Sequence, residues 1–294
     1  MRIPFLKAVA KNRIMISDGA WGTALQSEGL EAGTCAEEWN RSHPETVRSV
    51  AKRYINAGSD MIETNTFGGN RHSLKRYGLE GKTRELNKKG AELSREAAGD
   101  DHYVLGSVGP SGVVLMMGEV SEETLYEDFL EQMRGLADGG ADAICIETFS
   151  ALDEAELAVR AAKTTGLPVA CTFTFENGYT MMGVTPEQYA EKMRELEVDI
   201  IGTNCGNGFS GMTGIVSAIR DTAPGVPLLV HANAGLPEIR GGKTVFPETP
   251  EKMAGFARDI VNAGATIIGG CCGTTPEHIK AIRKALEQMN DGNL

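Results

Sequence analysis

The chain has 294 residues and a formal net charge of −11, and 41% of its residues are hydrophobic, as in an ordinary globular protein. Nucleic-acid binding depends on Lys and Arg that neutralise phosphates, and here 29 basic residues face 40 acidic ones, so we expect no nucleic-acid partner. No apolar run approaches the about 18 residues of a membrane span, and the N-terminus lacks a signal peptide. We therefore expect a cytoplasmic protein without membrane contact.

Short apolar runs rich in β-branched residues recur along the chain, each too short for a helix and bounded by Gly, Pro or Asp. In chain order, they predict strands at 14–18, 61–65, 103–108, 143–147, 169–175, 200–204, 228–233 and 266–270. Their continuous apolar character, without alternation, is typical of parallel strands that are covered on both faces.

Amphipathic segments between these runs predict helices at 44–56, 83–98, 121–138, 152–164, 186–196, 209–220, 250–262 and 276–289. Three of them begin at the proline of a Thr-Pro-Glu sequence, which places a capping hydroxyl and a proline at the start of the helix. Ala-Gly or Gly-Gly pairs before the second, fourth and eighth strands predict the helix ends that feed those strands.

Eight strand–helix alternations predict an α/β fold, a (β/α)8 TIM barrel, as a single domain over residues 1–294. An open doubly wound sheet fits the same alternation and is the alternative. Polar residues and cysteines collect at the predicted C-terminal strand ends, where the active sites of such barrels lie.

Three cysteines are placed to share one centre at this face. Cys205 follows the sixth strand, and Cys271 and Cys272 follow the eighth, with only one strand between them. Three thiolates that leave a fourth coordination position open suit a borderline metal, so we predict a Zn²⁺ site.

The two adjacent cysteines need an explanation, because neighbouring side chains on a strand point to opposite faces. Gly269, Gly270 and Gly273 surround the pair, and we expect them to let the backbone leave extended geometry so that both sulfurs face one ion. A redox disulfide between the neighbours is the alternative, and it is geometrically strained.

The remaining cysteines have simpler interpretations. Cys145 and Cys171 lie within predicted strands, where a thiol packs as a small hydrophobic group, and Cys35 is expected to be an incidental loop or helix-start thiol. His231 lies two residues before Asn233 and is a possible metal ligand, although a packing or supporting role fits better beside three cysteines.

Four segments carry a family resemblance: residues 17–23 (SDGAWGT), 62–67 (IETNTF), 202–205 (GTNC) and 269–274 (GGCCGT). The sequence resembles the homocysteine S-methyltransferase family, which includes the homocysteine-binding module of cobalamin-dependent methionine synthase and betaine–homocysteine methyltransferase. The resemblance extends from about residue 14 to 286. It implies a barrel, one zinc ion and a thiol substrate, usually homocysteine.

The resemblance also implies roles for individual residues. Glu147 matches the acidic residue that binds the substrate ammonium, and Asp18, Gly19 and Thr64 match other positions that bind the amino acid. Asn233, beside the metal rim, is expected to hold the open zinc position before substrate arrives, and we count it with Glu147 as catalytic. Strand-end polar residues of these types also commonly cap turns and helices.

The predicted reaction is methyl transfer to the zinc-activated thiol of homocysteine, giving methionine, because coordination to zinc deprotonates a thiol. No corrinoid-binding motif follows the barrel, so we expect the donor to be a separate methyl-corrinoid protein or a small methyl donor such as S-methylmethionine. Betaine fits less well, since Thr148 stands where an aromatic residue would contact a quaternary ammonium. The alternatives are another thiol or selenol substrate, or a non-catalytic zinc-binding barrel.

Overall fold

The computed structural model describes residues 2–11 and 14–290. Its strands are β1 (Met15–Ile16), β2 (Met61–Glu63), β3 (Tyr103–Val108), β4 (Ala143–Phe149), β5 (Val169–Phe173), β6 (Ile200–Cys205), β7 (Leu228–Ala232), β8 (Glu238–Arg240), β9 (Lys243–Val245) and β10 (Ile267–Gly270). Its α-helices are α1 (Phe5–Lys11), α2 (Gly22–Ser27), α3 (Trp39–Ser42), α4 (Pro44–Asn56), α5 (Arg71–Lys75), α6 (Thr83–Ala98), α7 (Glu122–Asp138), α8 (Leu152–Lys163), α9 (Pro186–Glu195), α10 (Phe209–Thr222), α11 (Pro250–Asn262) and α12 (Pro276–Asn290).

Eight parallel strands form the wall of a (β/α)8 TIM barrel, which confirms the predicted fold. Their spatial order, β1-β10-β7-β6-β5-β4-β3-β2, follows the chain without a reversal. A doubly wound sheet reverses its strand order at a switch point, so the alternative architecture is excluded. β8 and β9 form a separate antiparallel hairpin after β7.

The seam between β1 and β2 closes largely through side chains. The Asp60 amide donates to the Ile16 carbonyl at 2.7 Å, and the Asp60 carboxylate accepts from the Ile16 amide at 2.7 Å. At the upper end of the seam, the Asp18 carboxylate accepts from the Glu63 amide at 2.8 Å. Two carboxylates thus replace part of the backbone ladder that joins the other strands.

The barrel interior is apolar at its N-terminal end and polar at its C-terminal end. α1 lies against the N-terminal end and packs Phe5, Ala8 and Val9 on inward-facing residues such as Tyr103. The Phe5 and Tyr103 rings are 5.1 Å apart between centroids. Further along the strands, the inward positions carry Glu63, Ser107, Glu147, Thr172, Asn204 and His231, all buried. This change in polarity places a hydrophilic pocket at the C-terminal mouth.

All eight predicted strands and all eight predicted helices are present, with ends that shift by up to two residues. The largest strand correction is at 14–18, where the strand is only Met15–Ile16 and Asp18 lies beyond it. The sequence analysis missed α1, α2, α3, α5 and the hairpin, all of them short. Among the described residues, no helix is long and apolar enough to cross a membrane.

Replacing Asp60 tests the seam. Asp60→Ala leaves the buried Ile16 amide without its acceptor and also removes the 2.6 Å ion pair with Arg283. We expect the free energy of unfolding in urea to fall by about 1–3 kcal/mol. The control is Glu127→Ala, an exposed position within α7, where a change below about 0.5 kcal/mol is expected. Equal effects of the two substitutions would contradict a closing role for Asp60.

Candidate functional site

The three predicted metal ligands converge at the C-terminal mouth of the barrel. Cys205 is the last residue of β6, and Cys271 and Cys272 directly follow β10. Their sulfur atoms all lie within 4.8 Å of one another, with Cys205 and Cys271 in contact at 2.9 Å. Sulfurs bound to one tetrahedral zinc ion are about 3.8 Å apart, from a Zn–S bond of about 2.3 Å. The spacing of this group therefore suits one shared ion.

Backbone hydrogen bonds from β7 and the residues after it hold the two cysteine segments together. The Cys271 amide donates to the Ala232 carbonyl at 2.7 Å, and the Ala234 amide donates to the Cys272 carbonyl at 3.0 Å. On the other side, the Asn233 amide donates to the Cys205 carbonyl at 3.2 Å. Consecutive residues of one chain segment thus fix the positions of all three thiols.

Two cysteine segments adopt the left-handed backbone region. Cys205 has φ of +61°, which is uncommon outside glycine, and Gly206 follows with φ of +60°. Beyond the cysteine pair, Gly273 has φ of +79°, and a Cβ there would lie 2.2 Å from the Phe246 ring. The chain therefore turns sharply after each sulfur-bearing segment, and at Gly273 only glycine fits.

The explanation of the other two glycines was wrong. Gly269 and Gly270 remain within the regular strand β10. They are needed because other groups approach closely: a Cβ at Gly269 would lie 2.7 Å from the Asp18 carbonyl, and one at Gly270 would lie 2.3 Å from the Thr274 hydroxyl. Thr274 in turn donates to the Cys271 carbonyl at 2.7 Å, so the close approach secures the turn.

The thiols interact strongly with one another. Hydrogen bonds from Cys205 and Cys271 lower the pKa of Cys272 to about 3. Hydrogen bonds to Cys205 and Cys272, together with burial, raise the pKa of Cys271 well above its ordinary value. The two neighbouring thiols therefore favour the thiolate form of Cys272. A divalent ion removes the mutual repulsion that opposes further ionisation, so this donor set fits a metal.

Asp18 lies beside this cluster but is engaged within the protein. Its buried carboxylate accepts from the Trp21 indole at 2.8 Å, the Glu63 amide at 2.8 Å and the Ser17 hydroxyl at 3.2 Å. Burial raises the pKa of Asp18 to about 6, although these hydrogen bonds oppose the shift. The next residue, Gly19, packs so closely on Tyr54 that a Cβ would lie 2.8 Å from the ring.

Glu147 and Thr64 face the same pocket. The Glu147 carboxylate is buried and accepts a hydrogen bond from the Ser107 hydroxyl. Burial raises its pKa to about 7, and the negative charges of Asp18 and Cys272 add to the rise. The Thr64 hydroxyl accepts from the Ser107 amide at 3.0 Å, which links Thr64 to the residue that orients Glu147.

Asn233 lies next to the Cys205 segment. Its side-chain amide donates to the Gly206 carbonyl at 2.8 Å. Its Oδ1 atom is buried and has no hydrogen-bond partner among the described residues. A buried amide oxygen without a partner is unfavourable, which makes this atom a candidate for contact with a bound cation.

The sequence analysis did not select Glu63, although this residue enters the pocket from the end of β2. Its buried Oε1 atom has no hydrogen bond within the part of the chain that the structure describes, and it lies 3.6 Å from His231 Nδ1. His231 is thus beside a carboxylate rather than within the group of sulfurs. Alternation along the strand was the available signal, because Met61 faces the interior and Glu63 lies two residues later.

The other cysteines lie apart from the metal cluster. Cys145 and Cys171 are fully buried within β4 and β5, as a packing role requires. Cys35 precedes a short 3₁₀ helix, Ala36–Glu38, and its thiol donates to the Glu37 carboxylate at 3.2 Å.

A cavity of about 960 Å³ opens beside the mouth, between the segments that follow β3, β4 and β5. Apolar side chains dominate its wall, and Met116 and Met181 are among the most exposed, at 79% and 94%. Thr148 and Thr174 are among its lining residues, and the Thr174 hydroxyl donates to the Asn204 carbonyl at 3.1 Å. One lining residue of the cavity therefore contacts the C-terminal end of β6, the strand that carries Cys205.

Comparison with known proteins gives consistent matches. The model of the homocysteine S-methyltransferase family matches residues 15–286. Methionine synthases of Mycobacterium leprae and Mycobacterium tuberculosis are 35% and 34% identical over 96% of this chain, which spans only 25% of their length. The metallated form of the homocysteine methyltransferase MmuM from Escherichia coli has the same fold, with a TM-score of 0.81 at 24% identity, covering 96% of this chain and 99% of that one.

A glycine substitution tests how tightly the turn after the cysteine pair is constrained. Gly273→Ala forces a Cβ into Phe246 in addition to the cost of a positive φ. The control Gly225→Ala has a similar φ of +84° but open space around it, so it measures the backbone cost alone, about 1–2 kcal/mol.

We expect Gly273→Ala to lower the free energy of unfolding in urea by at least about 1 kcal/mol more than the control, since overpacking typically costs about 1–3 kcal/mol. Adding Phe246→Ala should reduce the cost of Gly273→Ala. If the two glycine variants lose equal stability, the Phe246 contact does not constrain the turn.

Proposed function

Because the chain belongs to the homocysteine S-methyltransferase family, we propose that it transfers a methyl group to the sulfur of homocysteine and so produces methionine. The observation that carries this proposal is the convergence of the Cys205, Cys271 and Cys272 sulfurs at the mouth of the barrel. Since this chain spans only 25% of the length of its methionine synthase relatives, the proposal first concerns the binding and activation of the methyl acceptor, homocysteine.

Zinc is the cofactor that we propose for this site. Three thiolates within 4.8 Å of one another provide soft ligands and leave one tetrahedral position for a substrate. When bound, zinc keeps a coordinated substrate thiol deprotonated at neutral pH, and the thiolate is the nucleophilic form. Three protein thiolates also give the centre a net negative charge, which leaves electron density on the substrate sulfur.

The residues around the proposed metal position would bind the substrate and, before it arrives, face the fourth coordination position. Glu147 is proposed to bind the substrate ammonium, with Ser107 orienting its carboxylate. The unpartnered Asn233 Oδ1 is proposed to face the fourth coordination position until substrate arrives. The side chains of Asp18 and Thr64 are already engaged within the protein, so we propose that the segment 18–19 contacts substrate through its backbone and that Thr64 supports Ser107.

The methyl donor is proposed to approach from the open rim. The cavity of about 960 Å³ has Thr174, which hydrogen-bonds to Asn204 on β6, among its lining residues, and its methionine-rich wall suits a bulky apolar group. A separate methyl-corrinoid protein or a small donor such as S-methylmethionine would both reach the sulfur by this route. The residues at the rim would then position the methyl group in line with the substrate sulfur.

The proposed activity is tested with the zinc-loaded protein and homocysteine. Methylcobalamin on a corrinoid protein, S-methylmethionine and betaine are supplied in turn, and methionine is measured. We expect methionine from one of the first two donors. A zinc-loaded protein that makes none from any donor would argue for the non-catalytic alternative.

Cys205→Ala should abolish stoichiometric zinc and lower methyl transfer by at least about 10³-fold, since nucleophile activation is lost. Metal analysis of the purified protein and circular dichroism check the zinc content and the fold. Cys171→Ala is the matched control, because it removes a buried thiol from the neighbouring strand β5. Retained zinc in Cys205→Ala would remove this residue from the metal site.

Homocysteine binding should weaken as the pH falls below about 7. Glu147 has a pKa of about 7, so acidification neutralises the carboxylate that would bind the ammonium. We expect affinity to fall by about tenfold per pH unit from this group below its pKa. Calorimetric titrations at several pH values measure it. Glu147→Gln should bind more weakly and lose this part of the dependence, whereas an unchanged pH profile would contradict the assignment.

A further inference from the structure

Three carboxylates share the polar end of the barrel interior. Asp18, Glu63 and Glu147 are 0%, 6% and 6% exposed. The negative charge of Asp18 raises the pKa of both glutamates, and that of Glu147 also raises the pKa of Glu63. Among the ion pairs of the described residues, these three carboxylates pair with no Lys or Arg. Buried carboxylates without a cationic partner are costly, so the cluster has an excess of acceptors.

Glu63 is the member with an unfilled hydrogen-bonding position. Asp18 already accepts three hydrogen bonds, and Glu147 accepts one from Ser107. Among the described residues, the buried Glu63 Oε1 atom accepts no hydrogen bond, and the neighbouring Cys145 thiol, a weak donor, only partly offsets the raised pKa of this carboxyl group. Its nearest basic neighbour is His231, 3.6 Å away, and burial lowers the pKa of His231 to about 4, so the imidazole brings no positive charge at neutral pH.

We propose that Glu63 is the second carboxylate of the subsite that receives the α-ammonium group of the substrate, and that it makes the enzyme selective for amino thiols over thiols without an amine. The inference depends on the proposed function, because it assumes that the substrate sulfur binds at the three cysteines. An ammonium group shared between Glu147 and Glu63 fills the vacant acceptor and offsets the like-charge repulsion that otherwise opposes ionisation of both groups.

Binding is then coupled to a proton. Glu63 faces Asp18 on the β1 side, Cys145 and Glu147 on β4, and His231 on β7. Burial, followed by the charges of Glu147 and Asp18, raises the pKa of Glu63 well above its ordinary value, which favours a proton on this group. A neighbouring cation favours the ionised form, so entry of the ammonium would break the Glu63 O–H bond, release the proton to solvent and pair the carboxylate with the cation.

The test compares two thiols by isothermal titration calorimetry at pH 7 on the zinc-loaded full chain. One is homocysteine, and the other is γ-mercaptobutyrate, which has the same skeleton without the amine. We expect wild type to bind homocysteine more tightly than γ-mercaptobutyrate. Glu63→Gln should reduce the ratio of the two affinities by at least about tenfold, while its affinity for γ-mercaptobutyrate stays within about twofold of that of wild type. Asp128→Asn is the matched control, because it neutralises a buried carboxylate on α7 outside the barrel interior and should keep the preference.

The outcomes separate the inference from the function on which it depends. If Glu63→Gln weakens the binding of both thiols equally, or leaves the preference unchanged, Glu63 does not bind the ammonium group and the inference is overturned. If wild type binds neither thiol, the proposed function is wrong, and the inference that depends on it is wrong as well.

A measurement on wild type alone covers the case in which Glu63→Gln does not fold. Titrations in buffers with different ionisation enthalpies count the protons released on binding. Homocysteine should release more protons than γ-mercaptobutyrate, because only the ammonium displaces the Glu63 proton. Equal release by the two thiols would overturn the proposal.

Discussion

The geometry of the whole site depends on the backbone hydrogen bonds that join residues 232–234 to both cysteine segments. These bonds fix Cys205 on one side and Cys271 with Cys272 on the other, so sulfurs more than 60 residues apart in sequence lie within 4.8 Å of one another. Such preorganisation matters because a metal site assembled from mobile segments would lose affinity to their ordering. The positive φ at Cys205 and the tight contact at Gly273 are the local costs of this arrangement.

A second constraint is the change of polarity along the barrel interior. The N-terminal end is filled by apolar side chains and by α1, and this packing stabilises the barrel independently of the site. That stability allows the C-terminal end to keep buried carboxylates and an uncharged histidine, groups that alone would oppose folding. Strained or unsatisfied groups of this kind persist where the surrounding structure determines their position.

The sequence predicted the barrel because the alternation of apolar runs and amphipathic helices is a local signal, and it predicted the three sulfurs because each follows a strand. It could not predict the seam between β1 and β2, where Asp60 and Asp18 replace backbone pairing across long sequence separations. The short helices and the hairpin were missed because each has too few residues for a periodic pattern. Alternation from Met61 indicates that Glu63 faces the interior, but the sequence does not show that its Oε1 atom lacks a hydrogen-bond partner among the described residues.

The helix α1 lies beneath the barrel and closes its floor with Phe5 and Val9. Small molecules would therefore reach the polar interior through the C-terminal mouth, where the three cysteine sulfurs lie. In the proposed reaction, homocysteine, the methyl donor and methionine would then share one opening, so the shape of that opening would limit which donors can reach a bound acceptor.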